Sequence, residues 1–97
     1  MDRIVGDVVD RAVRLVAPTR IWLFGSHARG DATLNSDVDL AFDVPPSARA
    51  TWAAFALEAA DEVPALVDID LIDIGTCHPA LAREITTTGR VVYERPS

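Results

Sequence analysis

Apolar residues recur at helical spacing over residues 3–16. Ile4, Val5, Val8, Val9, Ala12, Val13 and Val16 fall on one side, with Asp7, Asp10, Arg11 and Arg14 opposite. The spacing predicts an amphipathic helix that Pro18 stops. The unbroken run Ile21-Trp22-Leu23-Phe24 predicts a buried strand over 20–24. Gly25 and Ser26 turn the chain into a short helix over 26–30 that ends at Gly30, and residues 31–35 read as loop. Residues 37–44 alternate. Asp37, Asp39, Ala41 and Asp43 share one side, and Val38, Leu40, Phe42 and Val44 share the other. This predicts a second strand with an apolar core face and an acidic working face.

Pro45-Pro46 breaks that strand, and Ser47 is expected to cap a helix over about 48–62. Its stripe is Trp52, Phe55, Ala56, Ala59 and Val63, with Arg49, Glu58, Asp61 and Glu62 outside. Residues 66–74 predict a third strand. Pro79 suits the first turn of a helix over 79–87, with Gly89 at its end, and 90–94 predict a last short strand. The fold class is therefore α/β, one domain over 1–97. A small mixed sheet with flanking helices is expected, in the order α-β-α-β-α-β-α-β.

A chain of 97 residues buries roughly two-thirds of its unfolded surface. That supports one core but no deep, closed cavity, so a substrate is expected on an open face, with a partner protein completing the site. The net charge is −6, and the nine Lys+Arg positions are all scattered arginines. That balance argues against non-specific nucleic-acid binding. No apolar run approaches the ~20 residues of a membrane span, and the N-terminal residues show no apolar leader. The single cysteine, Cys77, excludes an internal disulfide and suits a reducing cytosol, so a cytoplasmic location is expected.

Chemistry concentrates in Gly25-Ser26-His27-Ala28-Arg29-Gly30 and Ser36-Asp37-Val38-Asp39-Leu40. A strand running into Gly-Ser and a helix start aims backbone N–H groups and a hydroxyl at one point, which suits a phosphate. Asp37 and Asp39, at i and i+2 of a strand, face the same way. Such a pair repels unless a cation lies between them. Phosphoryl and nucleotidyl transfer need that arrangement: two Mg²⁺ ions on a few carboxylates supply positive charge and alignment. A third carboxylate should come from a neighbouring strand. Asp70 is the first candidate and Asp68 the second, which leaves the register open by one pleat. Gly25 lets backbone approach a triphosphate closely, Ser26 adds a donor, and Arg29 is balanced between a phosphate contact and a surface charge.

Gly25-Ser26-x-Ala28-Arg29-Gly30-Asp31, followed by Ser36-Asp37-x-Asp39-Leu40, resembles the signature of the minimal nucleotidyltransferases. These belong to the superfamily that includes DNA polymerase beta and the aminoglycoside nucleotidyltransferases. The likeness extends to Ile69-Asp70-Leu71-Ile72-Asp73 and to Gly89-Arg90-Val91-Val92-Tyr93-Glu94. The resemblance implies a nucleotidyltransferase-like fold, with Asp37 and Asp39 as paired metal ligands. It implies Asp70 as the third carboxylate, and Gly25 and Ser26 on the nucleotide phosphates. His27 departs from the family pattern, which often has Arg there. Stand-alone members of this size are commonly antitoxins, partnered with a HEPN-domain ribonuclease toxin. The implied reaction moves AMP from ATP to a tyrosine hydroxyl of that toxin, with Mg²⁺ as cofactor and a hetero-oligomer as the assembly.

Two rivals stand beside it: a small-molecule nucleotidyltransferase of the aminoglycoside-modifying kind, and a non-catalytic binder that blocks a toxin by contact. Among the remaining residues, Asp43 reads as a solubilising charge. Asp73, on the opposite pleat parity, is expected at the surface or strand end. His27 and His78 read as exposed helix-start residues and Cys77 as inert. Trp52, Phe55 and Trp22 read as core, with adenine stacking a minor alternative for Trp22.

Overall fold

The computed structural model describes residues 3–25, 38–62 and 69–96. Among them the order is α1 (Arg3–Leu15), β1 (Arg20–Phe24), β2 (Val38–Phe42), a 3-10 turn (Pro46–Ala48), α2 (Arg49–Glu62), β3 (Ile69–Asp73), α3 (Pro79–Thr88) and β4 (Arg90–Glu94). The helix expected over 26–30 lies outside the described residues. The strands form one mixed sheet in the order β3-β2-β1-β4. β1 is antiparallel to both β2 and β4, and β2 is parallel to β3. A parallel pair needs a crossover, and α2 lies in that connection.

α1 ends where its ladder closes on Ala12: Val16 N–H donates to the Ala12 carbonyl at 2.8 Å and Ala17 N–H at 3.2 Å. Ala17 takes a left-handed φ of 51°, and the buried Pro18 prevents continuation. Ser47 does not cap α2. It lies inside the 3-10 turn, because Pro45 and Pro46 preset helical φ early and Ala48 N–H bonds the Pro45 carbonyl at 2.9 Å. β2 ends at Phe42 instead of Val44, since its partner β1 begins only at Arg20. Asp43 still exchanges backbone bonds with that end, its N–H donating to the Arg20 carbonyl at 2.9 Å.

The sheet is covered on both faces. Ile21, Leu23, Leu40 and Phe42 pack with Val8, Val9, Ala12 and Val16 of the α1 segment and with Trp52 and Phe55 of α2. Phe42 centres an aromatic cluster, 4.7 Å from the Trp52 ring and 6.3 Å from the Phe55 ring. On the other face Trp22 and Ala41 pack with Ile85 of α3, flanked by Phe24, Ile74 and Leu81. Burial on both faces explains why β1 reads as an unbroken apolar run. It also modifies the expected acidic working face: its middle residue, Ala41, is fully buried, while Asp39 before it is half-buried and Asp43 after it is exposed. No helix among the described residues is long and apolar enough to cross a membrane.

Candidate active site

The site is built at the C-terminal end of β1. Phe24 pairs with Asp39 of β2, so the next residue, Gly25, lies beside the Asp39 side chain. Gly25 has a φ of +74°, a region an L side chain enters at a cost. A Cβ at Gly25 would overlap the Asp39 carboxylate. Two independent constraints, backbone angle and space, therefore require glycine here.

Asp39 pairs in register with Asp70 of the parallel strand β3. In-register neighbours on adjacent strands, about 4.8 Å apart, send side chains to the same face. Asp39 is half-buried and Asp70 exposed. Both stand on the face of Trp22 and Ala41, past the edge of what α3 covers. Their hard oxygen donors, with one carboxylate cradled by a glycine turn, suit a small divalent cation such as Mg²⁺. No third His, Cys, Asp or Glu groups with them as a metal set among the described residues. Asp37, Ser26, Arg29, His27 and Asp68 lie outside those residues, as do Ala59 and Val63 of the expected α2 stripe in their side chains.

Several neighbours take structural roles. Trp22 is 5% exposed and packs on Ala41 and Ile85, which makes it core and removes it from nucleotide stacking. His78 caps α3, its Nδ1 accepting the Ala80 N–H at 3.1 Å. Cys77 is half-buried, its thiol donating to the Ile74 carbonyl at 3.6 Å. Asp43, exposed as expected, also accepts the Thr19 hydroxyl at 2.6 Å. A cleft of about 410 Å³ lined by Thr19, Arg20, Asp43, Glu94, Arg95 and Pro96 opens at the other end of β1, away from Gly25. Its Arg20 is paired with Glu94 at 2.8 Å, so it offers no comparable donor set.

Sequence reasoning missed Asp73 and Arg49. Asp73 is 6% exposed and accepts the Arg49 Nε–H at 3.1 Å, so it is at the strand end but not at the surface, and Arg49 does not simply point outward. The signal was present: Asp73 shares the parity of Leu71 on the core side, and a carboxylate there requires a partner.

The sequence profile described as "Polymerase beta, Nucleotidyltransferase" matches residues 10–97. A comparison with curated protein sequences gives no match. Among solved structures, a toxin-antitoxin with AMP-PNP is 28% identical, with a TM-score of 0.62 over 92% of this chain and 73% of that one. A mutant of the toxin-antitoxin MntA-HpeT is 26% identical, with a TM-score of 0.60 over 94% of this chain and 70% of that one. The toxin-antitoxin MntA-HepT, at 24% identity and a TM-score of 0.55 over 94% and 68%, shares the fold.

Proposed function

Because the chain belongs to the polymerase beta nucleotidyltransferase family, we propose that it is an antitoxin that moves AMP from ATP to a tyrosine hydroxyl of a partner HEPN toxin. The observation that carries the catalytic part is the Asp39–Asp70 register beneath the Gly25 turn. Two structures above 25% identity that are toxin-antitoxin pairs, one of them with AMP-PNP, support the partner and the nucleotide. The complex would form in the cytosol, where ATP is at hand.

In this reading Asp37, Asp39 and Asp70 hold two Mg²⁺ ions, with Asp39 fixed by its fit against Gly25. Bound magnesium would neutralise phosphate charge and make the attacking hydroxyl more acidic. The backbone at Gly25, the Ser26 hydroxyl and Arg29 bind the triphosphate tail. The tyrosine oxygen forms a bond to the α-phosphorus, the α–β bridging P–O bond breaks, and pyrophosphate leaves. In this reading Asp70, which is exposed, accepts the tyrosine proton.

The test is label transfer from α-labelled ATP, with Mg²⁺, in lysate of the native host. Wild type is compared with an Asp37→Ala/Asp39→Ala variant. A labelled protein band given by wild type alone is the expected result. Label on a small molecule would contradict the acceptor, and no transfer in a lysate that contains the partner toxin would contradict catalysis.

A further inference from the structure

In the sequence, aspartates alternate with apolar residues on the way into β3: Val67-Asp68-Ile69-Asp70-Leu71. A one-residue slip of β3 against β2 would exchange its faces, and the core opposes it. A two-residue slip keeps Ile69 and Leu71 on the same side, and puts Asp68 where Asp70 stands, opposite Asp39. Hydrophobic patterning therefore selects the face of β3 but does not choose between these two aspartates. β3 is also an edge strand of the sheet, paired among the described residues with β2 alone.

The anchor is at its C-terminal end. Asp73 Oδ2 accepts the Nε–H of Arg49, the first residue of α2, at 3.1 Å, and its Oδ1 accepts the Gly75 N–H at 2.9 Å. The Asp73 carbonyl takes the N–H groups of Thr76 and Cys77, both at 3.1 Å. Ile74 N–H adds a rung to the ladder by donating to the Phe42 carbonyl at 3.0 Å. Gly75 makes room for this, since a Cβ there would come within 2.5 Å of Arg49 Nη2. Slipping β3 by two residues would draw the Asp73 carboxylate off Arg49, leaving a buried charge without its partner. It would also move Asp70 opposite the fully buried Ala41.

We propose that Asp73 and Arg49 are a positioning pair that fixes the register of β3, so that Asp70 and not Asp68 faces Asp39. This inference rests on Asp39 and Asp70 forming the site proposed above. It is tested by NMR on the full chain without metal, from the cross-strand contact between the Asp39 and Asp70 backbones. Arg49 is partly exposed, so Arg49→Ala is expected to fold. In it the Asp39–Asp70 contact should fall severalfold while the Leu23–Leu40 contact of β1 and β2 holds. Arg49→Lys should restore part of the loss. Transfer activity in the Arg49→Ala background should become sensitive to Asp68→Ala, a shift that general destabilisation does not produce. If Arg49→Ala does not fold, Asp73→Asn keeps the volume and the Gly75 bond and gives the same readout. A folded variant with an undiminished Asp39–Asp70 contact overturns the inference. Full transfer by Asp39→Asn would instead overturn the site built on Asp39 and Asp70, leaving the register result standing.

Discussion

Asp39 of β2 and Asp70 of β3 stand in register on adjacent parallel strands, and the Cα of Gly25 lies against the Asp39 carboxylate. Two like charges on one sheet face are unfavourable without a cation. The missing side chain at Gly25 leaves the space that the Asp39 carboxylate fills, so the turn and the carboxylate sit together at the end of β1.

Gly25→Ala should damage the site and the fold together. The left-handed backbone costs alanine about 1–2 kcal/mol, and the new methyl group displaces the Asp39 carboxylate. Denaturant unfolding should register the first effect. A fall in nucleotide transfer larger than that stability loss explains should register the second.

Asp39→Asn and Asp70→Asn should each lower the transfer rate by about 100-fold or more, the scale typical of losing one preorganised electrostatic contact. Asp70→Asn should not lower the melting temperature of the metal-free protein, because it removes one of two like charges on that face of the sheet. Single-turnover transfer and thermal melts of the same preparations check both halves.

Phe42→Ala should cost about 3–5 kcal/mol, the range for deleting a buried aromatic. Phe42 is fully buried and touches both Trp52 and Phe55. Against a typical domain stability of about 5–15 kcal/mol, this removes a large share. Arg20→Ala breaks the exposed ion pair with Glu94 and should cost at most about 1 kcal/mol. Urea midpoints of the two variants should differ accordingly.

The periodic elements were legible in the sequence. β1 and β4 begin and end where the pattern places them, and α1 and α3 agree within a residue at their ends. Alternation along β2 correctly separated Leu40 and Phe42 from Asp39 and Ala41. The pattern could not tell that α3 covers part of the acidic face, because a small alanine reads the same on a covered or an open face. Local spacing also could not choose between Asp68 and Asp70, since both have one parity. That choice depends on pairing with β2 and on the end of β3, where Arg49 lies 24 residues from Asp73 along the chain. The same distance hid which residue pairs with Asp73, although its core-side parity was readable.

The most direct test of the central claim is Mn²⁺ binding, followed by electron paramagnetic resonance with a non-hydrolysable ATP analogue, on wild type, Asp39→Asn and Asp70→Asn. Manganese accepts the same oxygen donors as magnesium. The account predicts saturable binding by wild type, weakened at least about tenfold by either substitution. Equal Mn²⁺ affinity in all three proteins would contradict a metal site built on Asp39 and Asp70.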